Sequence, residues 1–282
     1  MTYRRALIRA LDRPGGRPIL AAVINRLAQR HAPRVRVYFR SGMWMHQEND
    51  VTFVDSPTLD YHPLVFPTWA NELDRTIANA TDSWFHAYKP RPGDFIMDAG
   101  AGKGEDTIVF SRAVGPTGRV LSIEAHPVTF RCLRLFCELN HLHNVATANF
   151  AVIDCARPVA IESQKGWQAN RIVTIDAKDS LQVPALSLDE LVARDGVRHI
   201  DFLKMNIEGA EALAIQGMEH TLRITKALCI SCHDFRADNG EGEFFRTKHL
   251  VQDAVERAGF RIISCDADPR PDIANQVNAV RD

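Results

Sequence analysis

Two groups of residues in this sequence are typed and spaced for chemistry. The first is Asp98-Ala99-Gly100-Ala101-Gly102-Lys103-Gly104, followed at a distance by Glu124. Glycines lack Cβ, so the backbone can turn sharply and a ligand can approach it closely. A helix starting after such a turn presents unpaired N–H groups toward polar or anionic ligand atoms. A carboxylate at the end of the next strand can accept two hydrogen bonds from a ribose diol. The second group is Asn206-Ile207-Glu208-Gly209 with His233-Asp234. It offers an amide, carboxylates and an imidazole whose ordinary pKa lies near neutrality, as proton removal requires.

The glycine spacing narrows the ligand. A dinucleotide fingerprint reads G-x-G-x-x-G. Here Glu105 stands where its third glycine would be, and Asp106 follows. A pyrophosphate at that helix start would meet two like charges. S-adenosyl-L-methionine (SAM), with an adenosine, a sulfonium and an ammonium-carboxylate tail, would not. Asp98 is expected to orient the turn or to meet the ammonium group. Ligands of open α/β sheets sit outside the carboxyl ends of strands, which places Asp98, Glu124, Asn206 and His233 near one crevice. Asn206, His233 and Asp234 could also converge as N/O ligands of Mg²⁺ or a similar divalent cation polarising a hydroxyl. A metal-free site is the default expectation.

The elements that must position these residues alternate. Phe95–Met97 reads as a buried strand, Thr107–Val114 as a helix, and Arg119–Ile123 as a strand ending on Glu124. A helix follows over Pro127–Leu142. The strand Val145–Ile153 comes next, with Phe150-Ala151-Val152 at its end bordering an adenine. Val159–Pro184, which contains Gly166-Trp167, reads as a pair of strands or a loop over the site. Ser187 and Glu190 form a capping box. Strands are expected at His199–Met205, Ala227–Ser231 and Phe260–Cys265, helices at 210–223 and Phe245–Ala258, and a last, edge strand at Val277–Val280. This alternation predicts an α/β, Rossmann-like, doubly wound and mostly parallel sheet over residues 90–282. Residues 1–89 are expected to form a largely helical substrate cap. Its helices are Tyr3–Leu11, Pro18–His31 and Trp69–Tyr88; Arg34–Phe39 is a short strand, and Ser41–Trp69 reads as loop. Trp44, Tyr61, Phe66, Trp69 and Trp84 could line a pocket or simply cover the cap's apolar surface.

Composition sets bounds. The chain has 282 residues, 45% of them hydrophobic, enough for one α/β domain with an appendage. A net charge of −1 gives no global field toward nucleic acid or an anionic membrane. The six cysteines are scattered, and Cys229-x-x-Cys232 sits in an apolar strand that points the pair to opposite faces. Reduced thiols in a cytoplasmic protein are expected. No apolar run reaches transmembrane length, and Arg9 and Asp12 interrupt any signal-peptide core.

The strings GDFIMDAGAGKGEDT, IEAHPVTF, LNHLHNV, SLDEL and IDFLKMNIEGAEALAIQGM resemble the successive motifs of FkbM-type SAM-dependent methyltransferases, over about Pro90 to Phe260. Lys204-x-x-x-Glu208-Gly209-x-Glu211 after a strand makes the resemblance specific within class I methyltransferases. The resemblance implies a seven-stranded sheet and O-methylation of a hydroxyl. The acceptor would be a small molecule or glycan: a sugar of a glycolipid, a polysaccharide or a glycosylated natural product. Gly100, Ala101 and Gly102 become the close-approach turn, and Thr107 stands where the family has a Ser/Thr that can bond the methionine carboxylate. Glu124 would hold the ribose, and His126, Phe150 and Ala151 would border the adenine. His233 leads as the proton acceptor, with Glu208 next. The family usually carries Asp at Asn206, and an amide cannot serve as a base. That departure leaves a non-catalytic SAM-binding module open beside the transferase. An NAD(P)-dependent oxidoreductase is disfavoured by the glycine spacing. Oligomeric state, including a homo-oligomer, is left open.

Overall fold

The computed structural model describes residues 3–30, 32–59, 71–162, 172–173 and 180–281. The chain opens with helices α1 (Tyr3–Leu11) and α2 (Arg17–Ala28), then three strands, β1 (Val35–Arg40), β2 (Met43–Glu48) and β3 (Val51–Ser56). These form an antiparallel sheet in the order β1-β2-β3. Ser41 and Gly42 join β1 to β2 with φ of 53° and 78°, the positive-φ pair of a two-residue hairpin. β2 and β3 lie in the stretch that reads as loop. Neither sequence alternates cleanly: β3, VTFVDS, is buried at four successive residues, Val51 to Val54, and β2, MWMHQE, buries polar His46 and Glu48. Both polar side chains position the next helix, α3 (Glu72–Asp82). The Glu48 carboxylate accepts the N–H groups of Asn71 and Glu72 at 2.5 and 2.9 Å, satisfying two donors at the helix start. His46 lies between Asp55 (3.0 Å) and Glu72 (2.9 Å).

The main sheet begins with β4 (Phe95–Ala99), followed by α4 (Glu105–Val114), β5 (Arg119–Ile123), α5 (Pro127–Leu139) and β6 (Val145–Ala148). The third expected strand breaks after β6. The Asn149 amide donates to the carbonyls of Glu124 and Ala125, and β7 (Ala151–Val152) pairs instead with β11 (Ala185–Leu186). Between them, β8 (Val159–Glu162), β9 (Ile172–Val173) and β10 (Ser180–Val183) make a small antiparallel sheet; Gly166-Trp167 lies outside the described residues. The capping box forms at Ser187, starting α6 (Leu188–Arg194). Then come β12 (Ile200–Met205), β13 (Thr225–Ser231), β14 (Arg261–Ile263) and β15 (Gln276–Val280).

The seven strands run β14-β15-β13-β12-β4-β5-β6. β13, β12, β4, β5 and β6 are parallel, whereas β15 is antiparallel to both its neighbours. β15 is therefore an interior strand and not the edge that its polar Gln276 and Asn278 imply. Both are buried, and the Gln276 amide donates to Ser83 Oγ at 2.6 Å. Successive residues of β4 and β12 serve opposite faces. Met97 and Leu203 pack with Leu188, Leu191, Val251 and Val255, while Ile96 and Phe202 pack with Phe110, Phe136, Met45 and Phe53. Among the described residues, no helix is long and apolar enough to cross a membrane.

Candidate active site

A cavity of about 650 Å³ opens at the carboxyl ends of β4, β5 and β12, where the strand order reverses. Gly100 follows β4 with φ 79°, and a Cβ there would lie 1.9 Å from the Asn206 carbonyl oxygen. Only glycine lets the turn pass this close to the end of β12. The turn is tied down by the N–H groups of Gly100 and Ala101, both donating to the Ile123 carbonyl at 2.9 Å. Glu124 accepts from Gly102 N–H (3.0 Å) and His126 N–H (2.8 Å), so each carboxylate oxygen keeps capacity for a further donor. Burial pushes its pKa up to about 7, against these two hydrogen bonds.

The walls differ in character. Ile123, Phe150, Ala151, Ile161 and Ile172 make an apolar side. On the other side α3 presents Glu72, Arg75, Thr76 and Asn79, whose spacing puts them on one helix face. His126 Nε2 and Asn206 Oδ1, on residues that line the cavity, are buried polar atoms with no hydrogen-bond partner among the described residues. Burial lowers the His126 pKa and keeps the ring neutral. A cavity with unsatisfied polar atoms, a carboxylate at the end of β5 and an apolar slot suits an adenosine ligand.

Beneath the turn lies a buried ammonium. Lys204 is 1% exposed, and its Nζ donates to Asp98 Oδ1 and to the Gly100 carbonyl, both at 2.9 Å. Burial opposes its charge, but Asp98 and Asp106 override that and raise its pKa. Asp98 is fully buried and also accepts from Thr107 Oγ1 at 3.3 Å. Asp106 lies 4.0 Å from the ammonium, and its side chain is 26% exposed. Burial pushes the Asp106 carboxyl up to about 6, with Lys204 pulling the other way.

The second group forms a separate network. His233 is buried, with Nδ1 3.0 Å from Glu211 and Nε2 3.6 Å from Glu208. Burial opposes its charge, yet the two carboxylates push its pKa up to about 10. Glu208 adopts φ 56° and lines the cavity, where its carboxylate is held by Arg236 at 2.7 Å. The Asp234 carboxylate accepts the N–H groups of Thr247 and Lys248 (2.9 Å each), at the start of the helix Lys248–Arg257.

A family profile, the Methyltransferase FkbM domain, matches residues 98–262. That is more than half of the chain. The chain belongs to the FkbM methyltransferase family, whose members depend on SAM. Among solved structures, an FkbM methyltransferase from Methylobacillus flagellatus KT is similar with a TM-score of 0.42 at 16% identity, over 66% of this chain and 42% of its own. Fibrillarin from Aeropyrum pernix, solved with natively bound SAM, gives 0.41 at 14% identity, over 87% of this chain and 99% of its own. A SAM-dependent methyltransferase from Aquifex aeolicus gives 0.40 at 15% identity, over 74% and 96%. No curated protein matches the sequence.

In this FkbM methyltransferase the cavity brings together Gly100, Ala101, Gly102, Glu124, His126, Phe150, Ala151, Asn206 and Glu208 from the residues expected at the site. It does not bring in four others. Thr107 is fully buried behind the turn, where its hydroxyl bonds Asp98 and Ser122, so it is turned away from any ligand. Asp98 orients the turn through Lys204 and does not reach the cavity. His233, held as an imidazolium between two carboxylates, has no lone pair with which to take a proton near neutrality. Asp234 is committed to backbone N–H groups, and the described residues contain no cluster of three or more His, Cys, Asp or Glu arranged to hold a metal ion. Lys204 and Asp106 also line the cavity, and neither stands among the site residues expected from the sequence. Lys204 was visible only as a family signature, and Asp106 only as a charge unfriendly to pyrophosphate. Trp84 lies beneath the site, its ring 5.0 Å from Lys204 Nζ, whereas Trp44 is fully buried under α2; Tyr61, Phe66 and Trp69 lie outside the described residues.

Proposed function

We propose that this FkbM methyltransferase transfers a methyl group from SAM to a hydroxyl, that of a sugar in a glycolipid, polysaccharide or glycosylated natural product. The observation that carries the reading is the cavity itself, where the Asp106 carboxylate faces the polar residues of α3. Gly100, Ala101 and Gly102 would receive the methionine part, Glu124 the ribose diol, and His126 with Phe150 and Ala151 the adenine. The unpartnered Asn206 Oδ1 would accept from the ammonium group. Bound SAM supplies an electrophilic methyl on a cationic sulfur. Arg75, Thr76 and Asn79 would hydrogen-bond the acceptor's hydroxyls. With SAM as the methyl donor, the acceptor's hydroxyl would give its proton to the Asp106 carboxylate as the methyl group is transferred to its oxygen. Lys204 would fix the turn through Asp98 and Gly100 and place its charge 4.0 Å from that carboxylate. Glu208, bound to Arg236, is the lesser candidate for the proton. The six free thiols support a reducing compartment such as the cytoplasm.

The test uses methyl-labelled SAM with extracted glycolipids and polysaccharides. Label recovered in a base-stable ether of the carbohydrate fraction is the expected result; label on nitrogen, on carbon or in a carboxyl ester would overturn the acceptor class. Asp106→Asn is expected to lower turnover by about 10²–10⁴ while SAM affinity stays nearly constant. The wild-type rate should rise with pH through about 6, and that limb should vanish in the variant. A variant that keeps full turnover removes Asp106 as the proton acceptor.

A further inference from the structure

The charge of this chain is unevenly placed. Its first forty residues carry ten arginines and one acidic residue, Asp12, within a chain whose net charge is only −1. Asp12 is committed internally, to Arg17 (2.9 Å), the Trp44 indole (3.0 Å) and the Leu59 N–H (2.7 Å). Helix α2 buries Leu20, Ile24 and Ala28 against β1 and Trp44. The residues on its opposite arc, Ile19, Val23, Arg26, Leu27 and the following Arg30, face outward. Ile19 is 56% and Val23 51% exposed. Ile19 and Val23 are one turn apart, and the arginines sit at the carboxyl end of the same arc.

We propose that this outward face of α2 docks the protein on an anionic membrane surface. Aliphatic side chains next to arginines on one helix face are the arrangement of an interfacial helix: the apolar groups enter the boundary region and the guanidinium heads reach lipid phosphates. Two other occupants fit less well. A second copy docked antiparallel through the same face would set Arg26 and Arg30 against aliphatic side chains, with no anionic partner for either guanidinium on that face. A nucleic acid would use the arginines but leave Ile19 and Val23 without a partner, since aliphatic groups contribute nothing to phosphate contacts. The inference does not depend on which acceptor is methylated.

The experiment is flotation of the full chain with vesicles of phosphatidylglycerol and phosphatidylcholine in equal parts, against phosphatidylcholine alone. Binding to the anionic vesicles, weakening as salt rises, is expected. Arg26→Ala with Arg30→Ala should reduce partition by about 25-fold, since each arginine near the surface contributes roughly fivefold. Ile19→Glu with Val23→Glu should reduce it by at least about tenfold, with an unchanged thermal melt because both positions face solvent. No flotation overturns the proposal, as does flotation indifferent to both double variants. Sedimentation showing a dimer that dissolves on Ile19→Glu, without vesicle binding, assigns the face to a second copy and also overturns it. Retention on duplex DNA or RNA that survives Ile19→Glu, again without vesicle binding, does the same.

Discussion

Glu124 sits where burial and function pull in opposite directions. Two backbone N–H groups favour its charge, yet burial leaves its pKa near 7, so a neutral-pH sample holds both forms. A ribose diol needs the ionised form, which accepts at both oxygens. SAM affinity should therefore fall as pH drops below about 7, by up to roughly tenfold per unit, because a proton must be released on binding. Glu124→Gln should weaken binding by about 2 kcal/mol at neutral pH, the worth of a charge-assisted hydrogen bond, and flatten the slope. Titration calorimetry across this range checks both; a slope that persists in the variant detaches Glu124 from the ribose. The place of Glu124 in the cavity was legible in the sequence because it follows from a local pattern of strand, glycine turn, helix, strand and acid. Asp106 was not, because burial in the folded chain raises its pKa against Lys204, which arrives from β12 far along the chain. His233 misled for the same reason. An isolated histidine reads as a base, and only the fold reveals Glu208 and Glu211 on either side of it.

At the scale of elements, the polar wall of the cavity is held by a joint between β2 and α3. His46 is its pin, stacked on Phe53 with ring centroids 4.9 Å apart and bracketed by Asp55 and Glu72. Burial opposes protonation, but the carboxylates prevail and push its pKa up to about 9. A folded-state pKa above the ordinary value gives stability that is fully present below about 6.5 and is lost as pH rises through about 9. The loss is at most about 3 kcal/mol. His233, raised to about 10, loses its contribution in an overlapping but higher window, so the difference between wild type and His46→Gln isolates the joint. Chemical denaturation at several pH values should show a smaller decline between about 6.5 and about 9 in the variant; an identical decline would show that His46 does not hold α3. β2 escaped the sequence reading for the reason this joint exists. Buried His46 and Glu48 break the alternation that marks a half-buried strand, and their partners are supplied by α3. The strand at β15 was legible but its interior place was not, because buried Gln276 and Asn278 find their partners in Ser83 and Cys265.

At the scale of the whole molecule, the core does not stop where the cofactor unit begins. Met43, Met45 and Phe53 of the small sheet share one apolar cluster with Phe110, Phe136 and Phe202 of the main fold. Phe53 meets Phe136 with centroids 5.8 Å apart, and the Asn140 side chain both donates to and accepts from the Thr52 backbone at 2.8 Å. The amino-terminal sheet thus covers α5 and carries α3, and through α3 it completes the cavity. Two units joined by a polar contact would melt separately, whereas units sharing a close-packed core lose stability together. Phe53→Ala removes a side chain that is 2% exposed and should cost about 3–5 kcal/mol. Hydrogen exchange followed by mass spectrometry should show protection falling in β4 and α4 by as much as in β2 and β3. Denaturant unfolding should remain one transition at a lower midpoint. If only the amino-terminal strands lost protection, or a second transition appeared, α3 would belong to a separately folding unit, and the cavity would be a joint between two bodies.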